Sequence, residues 1–133
     1  MKIFVADDSA MLREQIIALL SGLDGVVISG QAHDARVAYQ SICALKPDVV
    51  ILDIQMIGGS GIDVLKQIKQ ELRAPVVMML TNRTSPPYRK RCQQAGADYF
   101  LDKSTELGKV KEIIQGLLAR FDATGSVAPL DWG

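Results

Sequence analysis

Histidine and cysteine are almost missing from this chain: His33 is the only imidazole, and Cys43 and Cys92 are the only thiols in 133 residues. A single histidine, in what reads as a surface turn, argues against a histidine nucleophile and against a multi-histidine metal centre. The two cysteines lie far apart, without CxxC or CxxH spacing, and read as reduced, mostly buried thiols. An excess of either charge is also lacking. Lys plus Arg and Asp plus Glu are 15 each, so nothing global points to nucleic acid or an anionic membrane surface. No apolar run approaches the roughly 20 residues that span a bilayer. The run after Met1-Lys2 is short and ends in two acids, unlike a signal peptide. These absences lead us to expect a cytoplasmic protein of one domain, without internal repeats.

What is present is an alternation of short apolar runs with helical stripes. Strands are expected at about residues 2–6, 26–30, 49–53, 76–80 and 98–101. Most are continuously apolar, the pattern of parallel strands covered on both faces. Three stripes recur at helical spacing: Leu12, Ile16, Leu19, Leu20 and Leu23; Ile62, Leu65, Ile68 and Leu72; and Val110, Ile113, Ile114, Leu117, Leu118 and Phe121. Ser9 is expected to cap the first helix, and Ser60 through Asp63 has capping-box spacing. Pro86-Pro87 suits the first turn of a helix over Tyr88–Ala95 that Gly96 stops. Lys46-Pro47 and Ala74-Pro75 are expected to end helices just before strands.

The sum is an α/β fold, a doubly wound (βα)5 parallel sheet. Right-handed crossovers favour the flavodoxin-like order 2-1-3-4-5, with a ligand site where strands 1 and 3 meet. After Phe121 the pattern dissolves, so residues 1–121 read as the domain and 122–133, with Trp132, as a flexible tail or linker.

The informative residues stand at the ends of these strands. Asp7 and Asp8 close Ile3–Ala6, and Asp53 closes Val49–Leu52. The 2-1-3-4-5 order brings the three carboxylates into one crevice, where they repel one another unless a hard cation such as Mg²⁺ joins them. Asp8, Asp53 and a main-chain carbonyl just past Asp53 are natural ligands, with Asp7 contributing directly or through water. Thr81 and Lys103 follow the fourth and fifth strands. A hydroxyl and an ammonium at that edge suit a bound phosphoryl group.

Asp7-Asp8-Ser9, Leu52-Asp53-Ile54-Gln55-Met56, Gly58-Gly59-Ser60-Gly61, Leu80-Thr81, Ala95-Gly96-Ala97 and Lys103, in this order, resemble the CheY-like receiver domain of two-component response regulators. The resemblance covers residues 1–121. It implies that Asp53 is the phospho-acceptor, taking a phosphoryl group from a sensor histidine kinase or a histidine phosphotransfer protein. It implies that Asp7, Asp8, Asp53 and the Gln55 backbone carbonyl hold Mg²⁺, with Asp8 the more direct ligand of the acidic pair. Lys103 and Thr81 would bind the phosphoryl group, Phe100 would be the switch aromatic, and Gln55 and Arg83 would tune phosphoryl lifetime. The chain would then be no enzyme beyond autophosphatase activity. Its output would run through the face formed by the fourth helix, fifth strand and fifth helix. A downstream protein would read that face, a phosphorylation-dependent homodimer being one arrangement it allows. The resemblance implies no membrane contact and no direct nucleic-acid binding by this domain.

Several positions depart from the common pattern. Ile57 stands where a proline is usual, so the loop from Asp53 to Gly61 is expected to be less rigid. Ser104 replaces another proline, and Lys103-Ser104 is expected to be a trans peptide, as in a subset of receivers on helix-turn-helix regulators. Asn82 replaces a small residue, and Phe100 lacks a tyrosine's hydroxyl. Arg83, Arg89, Lys90 and Arg91 form a basic cluster that reads first as a solvated face and second as a protein-docking surface. One alternative is the receiver portion of a DNA-binding transcription regulator. A haloacid-dehalogenase-type phosphatase is disfavoured because Asp53-Ile54-Gln55 lacks a second Asp, and a flavodoxin because no Ser/Thr/Gly-rich loop follows the first strand.

Overall fold

A computed structural model describes residues 1–124. The main sheet has five parallel strands: β1 (Lys2–Ala6), β2 (Val27–Ala32), β3 (Val49–Leu52), β4 (Val76–Thr81) and β5 (Tyr99–Asp102). Their order is β2-β1-β3-β4-β5, the flavodoxin-like order that the sequence favours. Helices α1 (Ala10–Ser21), α2 (Ala35–Leu45), α3 (Gly61–Ile68), α4 (Pro86–Gln94) and α5 (Lys109–Thr124) make the connections and the final cover. No described helix is long and apolar enough to cross a membrane.

Period-two alternation splits the core into two layers. Phe4, Ala6, Val50, Leu52, Val77 and Met79 pack with Ile42 of α2, Leu65 and Ile68 of α3, and Cys92 of α4. Ile3, Val5, Val49, Ile51, Met78 and Leu80 pack with Leu12, Ile16 and Leu20 of α1 and Val110, Ile114 and Leu117 of α5. Both faces are covered, which is why β1, β3 and β4 read as unbroken apolar runs. Both cysteines are free thiols, and Cys92, in the core, is pushed up to about 11, chiefly by burial.

Local signals mostly hold, with shifted boundaries. Ser9 caps α1 by accepting from Leu12 N. Ser60 caps α3, but through Ile62 N rather than Asp63 N. Gly96 takes the left-handed φ of 98° just past α4. The apolar stripe of α3 does not reach Leu72. The helix stops at Ile68, a turn intervenes before Ala74-Pro75, and Leu72 is fully exposed. Just past that stop, the Lys69 ammonium reaches the buried Asp98 carboxylate (2.6 Å) and the Pro75 carbonyl (2.7 Å), tying the turn to the start of β5. At the other end of the chain, α5 continues to Thr124, into the stretch read as tail. The rest of that stretch, including Trp132, lies outside the described residues.

Candidate functional site

β1 and β3 are hydrogen-bonded neighbours in register Ala6↔Leu52, so the residues just beyond them are forced together. Asp53 N donates to Ala6 O (3.0 Å) and Asp7 N to Ala32 O (3.0 Å), which fixes both strand ends. One carboxylate oxygen from each of Asp7, Asp8 and Asp53 lies within 4.8 Å of the others. Asp7 and Asp53 are buried and Asp8 is exposed at the rim.

Lys103 is the counter-charge. Its Nζ is 2.8 Å from Asp53 Oδ2 and 2.8 Å from Asp7 Oδ2. Burial pulls the ammonium down, but the hydrogen bonds to Asp53 and Asp7, with their charges, outweigh it and hold Lys103 above its ordinary range. Burial likewise pushes the Asp7 carboxyl up. The Lys103 and Ser9 hydrogen bonds oppose this, the Asp53 charge adds to it, and the net direction is upward. Both Asp7 oxygens are engaged, Oδ1 by Ser9 N (2.8 Å) and Oδ2 by Lys103. Asp8 is therefore the better placed of the acidic pair to meet an ion directly. Three oxygen donors this close, with one cation already bridging two of them, suit a hard divalent ion.

Thr81 ends β4 fully buried, and its Oγ1 accepts from Arg83 N (3.1 Å). Lys103 N donates to Thr81 O (2.9 Å), so the hydroxyl and the ammonium expected at this edge from the sequence share a backbone link. Gln55 and Arg83 are joined: Arg83 Nη2 and Nε donate to Gln55 Oε1 at 2.6 and 3.1 Å. Phe100, partly buried on β5, lies under the Arg89 guanidinium, whose carbon is 4.6 Å from the ring centroid. The basic cluster is thus only partly a solvated face. All four side chains are exposed, but Arg83 and Arg89 are committed to named partners.

The loop after Asp53 is braced despite Ile57. Gln55–Met56 pairs antiparallel with Gly59–Ser60, and Ala35 N donates to Ile57 O (2.9 Å). Gly61 N donates to Ile54 O (2.7 Å), and a Cβ at Gly61 would overlap the Asp53 carbonyl oxygen. Gly61→Ala is therefore expected to cost about 1–3 kcal/mol in urea denaturation, because backbone must move. Ser104, the other departure, bonds Asp102 Oδ1 through both N (2.8 Å) and Oγ (2.6 Å), and no described peptide is cis.

Arg13 was not legible as a site residue. Its Nη1 donates to Asp7 O (2.6 Å) and its Nε to Gln31 Oε1 (2.9 Å), bracing the acidic turn. The only signal was its position four residues after the Ser9 cap, on the turn of α1 nearest the site.

Comparison with known proteins agrees with this geometry. Residues 3–115 match the family model described as response regulator receiver domain. The chain is 34% identical over 119 residues to a Burkholderia thailandensis protein-glutamate methylesterase/protein-glutamine glutaminase, covering 90% of this chain and 30% of that protein. It is 29% identical to the response regulator GacA of Pseudomonas syringae, covering 89% of this chain and 55% of that one. A DNA-binding response regulator of the LuxR family from Staphylococcus aureus superposes with a TM-score of 0.80 at 26% identity, covering 86% of this chain and 96% of that structure. The chain thus spans about half or less of the length of these two curated relatives. With its fold, its strand-end residues and this match in accord, the chain belongs to the response regulator receiver domain family.

Proposed function

We propose that this domain accepts a phosphoryl group on Asp53 from a phosphohistidine on a sensor kinase or phosphotransfer protein, and passes the signal to a downstream protein. The observation that carries the reading is the Lys103 ammonium bridging buried Asp7 and Asp53 beside exposed Asp8. An Asp53 oxygen attacks phosphorus, the phosphorus–nitrogen bond of the donor breaks, and the donor histidine leaves with its electron pair. The product is an acyl phosphate that water later hydrolyses. Little covalent help is needed, since positioning and charge neutralisation carry such transfers.

Asp8, Asp53 and the Gln55 carbonyl would hold Mg²⁺, with Asp7 acting directly or through water. When bound, the ion neutralises charge on the acceptor and the incoming phosphoryl oxygens. Lys103 is in place to pair with those oxygens after transfer, and the Thr81 hydroxyl, now accepting from Arg83 N, can turn to donate to them. The Gln55–Arg83 pair joins the loops after β3 and β4, where it can govern access of water and so phosphoryl lifetime. We place output on the α4-β5-α5 face, where Phe100 lies, with self-association of phosphorylated domains as one form of it. The family supports a cytoplasmic setting and a non-enzymatic role, as well as a second reading as the receiver part of a DNA-binding regulator like the LuxR-family relative.

Intact-mass measurement after incubation with acetyl phosphate and Mg²⁺ tests this. One phosphoryl group should be gained, and lost from both the EDTA-treated protein and Asp53→Asn. No gain with either acetyl phosphate or a phosphohistidine donor would refute it.

A further inference from the structure

Arg89 sits where three parts of the switch region meet. Its Nε donates to the Thr84 carbonyl (3.0 Å), in the loop that begins at Thr81. Its guanidinium covers the Phe100 ring at 4.6 Å, and Phe100 precedes Lys103 by three residues on β5. Its charge also reaches the turn after β5. Asp102 is held below its ordinary range first by the Ser104 side chain and backbone, and in smaller part by Arg89. Glu106 is lowered first by its bond from Asp102 N, then by Lys109, and again in part by Arg89. One side chain of α4 therefore clasps the loop carrying Thr81 and the ring on β5.

We propose that Arg89 is a positioning residue of the switch: its guanidinium holds Phe100 and the Thr84 carbonyl in the unphosphorylated arrangement, and this clasp opens when the Thr81 loop closes on a phosphoryl group. The inference rests on the phospho-acceptor reading above. A contact made in only one of two states biases the equilibrium by its own free energy. A surface cation–π contact alone amounts to about two- to fivefold in a binding constant, and the exposed hydrogen bond to the Thr84 carbonyl adds about twofold more. Removing them should let a phosphoryl mimic bind more tightly, although the lost positive charge by itself would weaken binding of an anion.

The test is a titration of the Mg²⁺-loaded protein with beryllofluoride, followed by backbone amide shifts, for wild type, Arg89→Ala and Arg89→Lys. Both substitutions favour helix at an exposed position. Lysine keeps the charge but loses the planar face and the Nε donor. The expected result is an apparent Kd lower by about three- to tenfold in both variants. Either variant at or above the wild-type Kd overturns the clasp while leaving Asp53 as acceptor. If the wild type itself binds no beryllofluoride, the clasp and the phospho-acceptor reading both fall.

Discussion

Lys103→Met is expected to destabilise the metal-free protein by about 3 kcal/mol, the usual cost of removing one partner from a buried ion pair. Here one cation serves two carboxylates, Asp7 and Asp53, each 2.8 Å away and almost wholly shielded from water. Methionine fills much of the stem's volume, so packing changes little and the loss isolates the charge. The raised Lys103 pKa fixes the pH range. The ammonium's contribution is complete below its ordinary 10.5 and disappears only as pH rises through the higher folded-state value, so the effect is full at neutral pH. Mg²⁺ should restore most of the loss, because the ion takes over as counter-charge. Urea unfolding with and without Mg²⁺ measures both halves. Equal stabilities without metal would mean that Lys103 does not neutralise the site.

Asp7→Asn should act in the opposite direction. Burial holds the Asp7 carboxyl above 3.8, so the folded protein binds that proton more tightly than the unfolded chain does. The group therefore favours folding most at low pH, and its contribution declines as pH rises from the unfolded value through the folded one. At neutral pH an ionised Asp7 is a cost that Ser9 N and Lys103 only partly offset. Asparagine can still accept from Ser9 N through its carbonyl oxygen, while its amide nitrogen replaces the Oδ2 acceptor, so the Lys103 ammonium must shift wholly onto Asp53. The metal-free variant should thus have a higher urea midpoint at pH 7 and a flatter stability profile between pH 4 and neutrality. Its Mg²⁺ affinity should fall by about 10- to 100-fold, as for other changes beside a bound metal. A variant less stable than wild type at pH 7, without metal, would contradict the charge-conflict account.

The fold was legible because parallel strands buried on both faces leave little ambiguity in sequence. Ile3, Phe4 and Val5 are all fully buried, and so are Val49, Val50 and Leu52. Right-handed crossovers then favoured the flavodoxin-like order, with the partly buried β2 and β5 at its edges. The placement of Asp7, Asp8, Asp53, Thr81 and Lys103 at one sheet edge was legible because strand ends have fixed positions, and a side chain at or just past an end has few directions to take. Long side chains reaching across loops were not. Arg83 meets Gln55 across 28 residues and Lys69 meets Asp98 across 29, and no spacing rule couples them. Arg89 counted as one charge in a cluster because its ring partner lies on another element. Leu72 misled for the converse reason: it continued an apolar period past Ile68, where α3 ends.

The most direct measurement is where the phosphoryl group goes. After incubation with acetyl phosphate and Mg²⁺, borohydride reduction converts an aspartyl phosphate to homoserine, which peptide mass mapping locates. Homoserine should appear at position 53 alone, in Mg²⁺-containing samples only. Homoserine at Asp7 or Asp8, or none at position 53 in a sample that has gained a phosphoryl group, would contradict the assignment of Asp53 as the acceptor.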